Sequence, residues 1–343
     1  MELGKDSTLA AGLRKVTSVK GIGSSKHWFS KENLIEKLLF IFTLLSSILI
    51  FFIIFFVISR GLPGLQASGF GFFTSGGWDK QFTEAWLAGA KQSVAAFGAL
   101  PLIAGTVLTT LGALLVAVPL GLGCAIFLTE MCPAWLRKPL ESAVRLLAAI
   151  PSVIFGLVGL IIIVPFIAKN FITNEMGLKM IKIAALDGTS ILAGVIVLSM
   201  MIVPIFISVA SDALTAVPRK YKEASAALGV SHWRTITRIM IPVARQGIMA
   251  GAILATGRAI GEAIALSMVA GSVANLPSPA HGMVFFLEPV RTLASTIVDN
   301  AEGMSVASCE SALFACGSLL LLSSVVLSIM ARLVSSRVSR EVN

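Results

Sequence analysis

Charged residues are scarce in this chain of 343 residues: Asp, Glu, Lys and Arg together make up 13%, against roughly a quarter in ordinary soluble domains. Hydrophobic residues make up 56%, and the mean hydropathy is +0.90. This composition excludes a soluble globular domain and is typical of a polytopic membrane protein.

Residue types that build metal sites and disulfides are also few. There are three His, which are scattered without metal-ligand spacing, and four Cys. Cys309 and Cys316 lie two helical turns apart, which is too far for a disulfide along one helix. We expect free thiols, surface histidines and no metal site.

No phosphate-binding loop of the form GxxxxGK[ST] occurs anywhere in the chain, and no catalytic constellation is apparent. The chain is therefore not expected to be an enzyme or to bind ATP itself.

Long apolar runs are what the chain has instead. Each is long enough to cross a hydrocarbon layer of about 30 Å as a helix, so the expected fold class is all-α, a polytopic membrane protein with six transmembrane helices. The expected spans are residues 34–58, 100–129, 146–168, 191–209, 247–271 and 309–334. The expected organisation is a cytoplasmic tail (1–33), the first span, a periplasmic loop (59–99), a five-helix core (100–334) and a short cytoplasmic tail (335–343).

The basic residues give this arrangement a direction. Most of the 27 Lys and Arg fall in segments on the same side as the N-terminus. The positive-inside rule then places both termini in the cytoplasm. The net charge of +9 is thereby explained by topology and not by nucleic-acid binding.

Residues 217–245, which we call the knob, form a polar and basic segment between the fourth and fifth spans. The pattern predicts a helix over 219–227, a stop at Gly229, an N-cap at Ser231 and a second helix over 232–240 that ends at Pro242. The alternative is an ordinary basic loop held at lipid headgroups by its charge.

The knob carries Glu223-Ala224-Ser225, then Gly229, then Ile239-Met240-Ile241-Pro242. This pattern resembles the EAA signature of ABC importer permeases, with matching spacing and with Ser225 in place of the second Ala. The resemblance implies a type I ABC importer permease architecture and docking on a nucleotide-binding subunit. The implied docking residues are Glu223, Ala224, Ser225, Gly229, Ile239 and Pro242.

Two charges interrupt the fifth span, Arg258 and Glu262, which a continuous helix would place one turn apart on one face. Each costs roughly 2.5–3.5 kcal/mol near the membrane centre, so such residues are functional candidates by default. An Arg fork suits a tetrahedral oxyanion, and a carboxylate accepts the proton that phosphate keeps but sulfate lacks. A mutual ion pair that only cancels the cost is the alternative.

The stretch Gly257-Arg258-Ala259-Ile260-Gly261-Glu262 and the segment Pro289-Val290-Arg291-Thr292-Leu293 resemble permease subunits of phosphate-specific ABC importers, PstC type. The resemblance implies import of inorganic phosphate across a bacterial inner membrane. The implied partners are a second permease of the PstA type, an ATPase dimer that binds ATP and Mg, and a periplasmic phosphate-binding protein.

Ser152 follows Pro151 at the start of the third span. Its hydroxyl is a candidate for the anion path, although a simple proline kink is the favoured interpretation. Importers of sulfate, molybdate or phosphonate, a gradient-driven secondary transporter and a scaffold without transport remain alternatives.

Overall fold

The computed structural model describes residues 26–89, 96–173, 175–177 and 185–340, and side chains only between residues 35 and 329. Within these ranges the structure is almost entirely helical, with one isolated parallel bridge between Gly271 and Val290. The principal α-helices are α1 Lys26–Ser68, α2 Gly71–Thr74, α3 Trp78–Ala88, α4 Leu100–Ile126, α5 Ala134–Ala148, α6 Ser152–Val158, α7 Val164–Phe171, α8 Ile191–Thr215, α9 Arg219–Ala227, α10 His232–Thr235, α11 Ile241–Ile260, α12 Ile264–Val269, α13 Leu293–Asp299 and α14 Ala307–Arg340.

Short turns of other helix types connect several of these elements. Three π-helical turns follow α4, α6 and α10, at Phe127–Met131, Gly159–Ile163 and Ile236–Met240. Two 3-10 segments, Pro279–Leu287 and Ala301–Ser305, lie before and after α13.

Among the described residues, six helical stretches are long and apolar enough to cross a membrane, which confirms the predicted number of spans. They are Ile35–Ser68, Leu100–Met131, Ser152–Phe171, Ile191–Thr215, His232–Ile260 and Ala307–Ile329. The expected tail 1–33 lies mostly outside the described residues, as do residues 341–343 at the other end.

The chain divides into two units, residues 1–53 and residues 54–343. In the second unit the main apolar core lies between α4, α8 and α11, with buried residues such as Ala117, Phe206 and Ala255. Small residues let these helices approach closely, since a Cβ at Gly121 would lie 2.6 Å from the Phe206 ring.

The first span is longer than predicted, so the expected loop over 59–99 is wrong in its first part. The helix continues to Ser68 because Gly61 and Gly64 remove the side chains that would collide with α14. A Cβ at Gly61 would lie 2.8 Å from the Phe314 backbone. Arg60 also pairs with Glu310 on α14 at 3.4 Å.

The fifth span begins and ends earlier than predicted. Pro242 does not end the second knob helix: it lies in the first turn of α11, directly after the π turn Ile236–Met240. The chain passes from α10 through the π turn directly into α11. The helix then ends at Ile260, and Gly261 through Ala263 separate it from α12.

Candidate functional site

The knob folds as two short helices joined by a tight turn. Gly229 has a φ of +69°, a left-handed conformation that suits glycine. Its N–H donates to the Ala226 carbonyl at 3.0 Å, and the next N–H, of Val230, donates to the Ser225 carbonyl at 3.1 Å. The predicted first helix, the stop at Gly229 and the start of the second helix at His232 are confirmed, whereas the predicted end of the second helix is not.

Ser225 lies inside the knob. Its side chain is 2% exposed, and its hydroxyl oxygen lies 2.7 Å from the hydroxyl oxygen of Thr235 on α10. A second Ala at this position would make no such bond. Ser225 therefore holds the two helices together, and this burial corrects its expected place on the docking surface.

The outer surface of the knob carries several of the other expected residues. Glu223, Ala224, Gly229 and Pro242 are exposed, and Ile239 is partly buried.

The two most exposed large apolar side chains of the knob were not among the docking residues predicted from the sequence. Leu228 is 82% exposed and Trp233 is 59% exposed. A large apolar residue directly before the helix-ending glycine was the available indication. Exposed apolar groups on an otherwise polar knob favour a protein partner over headgroup binding.

The charged end of the fifth span lines an open pocket of about 710 Å³. Arg258 and Glu262 contribute to its wall, together with Ser324 and Ser328 on α14. The structure thus brings together the two charges singled out from the sequence and adds two hydroxyl groups to them.

Arg258 and Glu262 do not form the ion pair that was the alternative explanation. Within the described ranges, neither has an ion-pair partner within 4.0 Å. The helix ends between them, so their expected one-turn spacing on one face is wrong. Arg258 is exposed in this isolated chain, whereas Glu262 is 7% exposed and accepts a hydrogen bond from the Ala265 N–H at 3.2 Å.

Ser152 does not line this pocket. It is the first residue of α6, a helix that packs against α12: a Cβ at Gly156 would lie 2.9 Å from the Cα of Ala265. Ser152 is partly buried. Ser152 thus lies on a helix that packs against α12, the helix that follows Glu262, and its place on the anion path stays a prediction.

The small-residue stripe that precedes Arg258 packs against α8. A Cβ at Gly247 would lie 2.4 Å from the Ala213 side chain, and one at Gly251 would lie 3.2 Å from that of Val209. This close packing fixes the position of α11 and hence of Arg258.

Arg291, which belongs to the Pro289–Leu293 motif, is the centre of a charged cluster. Its guanidinium pairs with Asp79 on α3 at 2.5 Å and with Asp299 on α13 at 3.5 Å. The Asp299 carboxylate also accepts hydrogen bonds from Ser267 at 2.5 Å and Ser272 at 2.8 Å. This cluster joins segments far apart in the sequence, so local patterns could not reveal it.

His281 and Glu288, seven positions apart, form a second pair of titratable side chains. The Glu288 side chain is fully buried, its Oε1 lies 2.5 Å from His281 Nδ1, and its Oε2 accepts from Asn275 at 3.0 Å. The expectation that His281 is a simple surface residue is wrong, since its ring is 29% exposed and pairs with this carboxylate. Among the described residues no group of His, Cys, Asp and Glu suited to a metal ion occurs.

Comparison with solved structures supports the fold. A chain of the crystal structure of a bacterial alginate ABC transporter, in complex with an alginate pentasaccharide-bound periplasmic protein, aligns over 89% of this chain and 97% of its own length. The TM-score is 0.53 and the identity is 17%. At this identity the likeness concerns the fold alone.

Sequence relatives are closer. The chain is 34% identical over 278 residues to the probable ABC transporter permease protein YqgH of Bacillus subtilis, covering 81% of this chain and 83% of that protein. It is 37% identical over 242 residues to the phosphate transport system permease protein PstC of Mesorhizobium japonicum, covering 68% of each. With PstC of Xylella fastidiosa strain 9a5c the identity is 34% over 82% of this chain and 83% of the relative.

A family model described as "Binding-protein-dependent transport system inner membrane component" matches residues 117–340. The matched region contains the knob, the pocket of Arg258 and Glu262, and Arg291. Because this match covers more than half of the chain, the chain belongs to the family of binding-protein-dependent transport system inner membrane components.

Proposed function

We propose that this chain is the PstC-type permease subunit of an ATP-driven importer, and that it moves inorganic phosphate from the periplasm to the cytoplasm. The relatives named PstC, at 34–37% identity over two thirds or more of the chain, support this substrate. The family is one of membrane permease subunits, which are not themselves catalytic.

The observation that carries the proposal is the placement of Arg258 and Glu262 in one pocket without a mutual ion pair. An unpaired guanidinium can bind two oxygens of a tetrahedral anion. A nearby carboxylate can accept the proton of hydrogen phosphate, whereas it repels fully deprotonated sulfate. The pair therefore supports both binding of an oxyanion and selection of a protonated one. Ser152 lies outside this pocket, so the proposed path is assigned to Arg258 and Glu262.

The proposed assembly has four kinds of partner. A second permease of the PstA type pairs with this chain, and an ATPase dimer binds the knob through Glu223, Ala224, Gly229, Ile239 and Pro242. ATP and Mg are bound by those ATPase subunits, and this chain needs no cofactor of its own. A periplasmic phosphate-binding protein delivers the anion to the outer loops.

The proposed topology places both termini in the cytoplasm of a bacterium, with the chain in the inner membrane. The basic residues of the knob and of α5, which holds Arg137, Lys138 and Arg145, support this direction. Docking through the knob then occurs on the side where ATP is available.

Uptake into proteoliposomes tests the function. The chain is co-expressed with its partner subunits, and uptake of labelled phosphate is measured with ATP inside the vesicles and the loaded binding protein outside. We expect ATP-dependent uptake that unlabelled phosphate inhibits and that sulfate, molybdate and phosphonate inhibit weakly. Uptake driven by an ion gradient without ATP would contradict the importer class, and preference for another anion would contradict the substrate.

A further inference from the structure

Glu130 is a buried carboxylate at the end of the second span that contacts both helices of the knob. It lies in the π turn Phe127–Met131, and its side chain is 5% exposed. Lys222 Nζ on α9 donates to its Oε1 at 2.6 Å, and His232 Nε2, at the start of α10, lies 3.8 Å from its Oε2.

This contact links the knob to the end of the second span. Among the described residues, the other side-chain hydrogen bonds of residues 217–235 stay within the knob: Ser225 with Thr235, Thr235 with Ser231 and Thr237 with Trp233. Lys222 and Glu130 lie 92 positions apart in the sequence, so the bond joins two separate elements. Burial of an unpaired carboxylate costs several kcal/mol. Glu130 should therefore move together with Lys222 rather than lose this partner.

The second span, Leu100–Met131, carries Glu130 near its end and also has a polar contact near its start. On α4, the Thr106 hydroxyl oxygen accepts a hydrogen bond from the Leu293 N–H at 2.9 Å, and Leu293 begins α13. Along its length α4 packs against α8 and α11, the helix that carries Arg258. A displacement of the knob that is passed to Glu130 thus acts on a helix that reaches the pocket helix and the outer loop.

We propose that Glu130 is a positioning residue that transmits movement of the knob to α4, and so links ATP hydrolysis by the partner to opening of the anion path. This inference rests on the proposed function, because it assigns the ATPase to the knob. Loss of the Glu130 charge then separates hydrolysis from transport without removing the docking surface. A purely structural role would lower both activities together.

The ratio of phosphate moved to ATP hydrolysed tests the proposal in the complete importer. For Glu130→Gln, which keeps the side chain's size, we expect ATP hydrolysis within about twofold of the wild-type rate and phosphate uptake about tenfold lower. Glu141→Gln is the matched control: Glu141 pairs with Arg137 at 2.7 Å within α5 and does not contact the knob. We expect the control to keep the wild-type ratio.

A double variant with exchanged charges distinguishes loss of this contact from misfolding. Combining Glu130→Lys with Lys222→Glu restores opposite charges across the same contact, and we expect the ratio to recover to within about threefold of wild type. An unchanged ratio in Glu130→Gln, a parallel fall of both activities, or an exchange no better than Glu130→Lys alone would overturn the proposal.

Hydrogen–deuterium exchange tests the role of Glu130 independently of which anion is transported. In the wild-type complex, ATP binding should change amide exchange both in the knob, residues 219–235, and at the end of the second span, residues 117–131. In Glu130→Gln only the knob should respond. A response at residues 117–131 that persists in the variant overturns the proposal, even if the importer carries an anion other than phosphate.

Discussion

The hydroxyl oxygens of Ser225 and Thr235 lie 2.7 Å apart, between the two helices of the knob. Both residues are buried, and Thr235 also donates to the Ser231 carbonyl at 3.2 Å. Ser225 stands where the signature usually has Ala, and Thr235 is the hydrogen-bond partner that this serine hydroxyl requires. The knob is a small unit with its own internal bond.

Removing either hydroxyl should loosen the knob by about 1 kcal/mol, the typical net contribution of one hydrogen bond. Ser225→Ala and Thr235→Val should each raise the amide exchange rates of residues 219–235, and the double variant should add little further because the same bond is lost. Thr237→Val is the control, since that hydroxyl is exposed and bonds only within its own helix. Additive effects of the two single variants would show that the bond does not couple the helices.

Leu228→Asp should weaken retention of the ATPase by about tenfold or more, because it places a charge in the centre of a proposed protein interface. Retention is measured by co-purification at increasing salt and detergent. Leu276→Asp in the loop between α12 and α13, where Leu276 is 48% exposed, controls for the loss of an exposed apolar side chain. Normal ATPase retention by Leu228→Asp would remove Leu228 from the docking surface.

The sequence was sufficient for features that depend on neighbouring residues. Six spans follow from hydropathy, and the turn at Gly229 follows from the need for a left-handed residue after α9. Contacts between distant segments were not predictable, such as Arg291 with Asp79, 212 positions apart. The end of α11 at Ile260 was also missed, because the apolar run resumes at Ile264, directly after the break at Gly261 to Ala263.

Arg291→Met should destabilise the protein by about 2–3 kcal/mol, because it leaves two carboxylates, Asp79 and Asp299, without their shared cation. The measurement is the thermal midpoint of the purified chain in detergent. Arg60→Met is the matched control: its pair with Glu310 is more exposed, so its loss should cost less than about 1 kcal/mol. Equal decreases of the thermal midpoint in the two variants would show that the Arg291 cluster stabilises the protein no more than the Arg60 pair does.

Glu262→Gln should relax the selection of phosphate over sulfate. The amide oxygen can still accept from the Ala265 N–H, so α12 keeps its cap, while the negative charge that repels sulfate is lost and an N–H donor is gained. We expect sulfate to inhibit phosphate uptake more strongly in this variant, whereas Arg258→Met should lower uptake itself by about tenfold to a hundredfold. Arg145→Met is the control, since Arg145 is an exposed arginine on α5 outside the pocket. Unchanged sulfate inhibition in Glu262→Gln, with uptake intact, would show that the carboxylate caps α12 without taking part in the choice of anion.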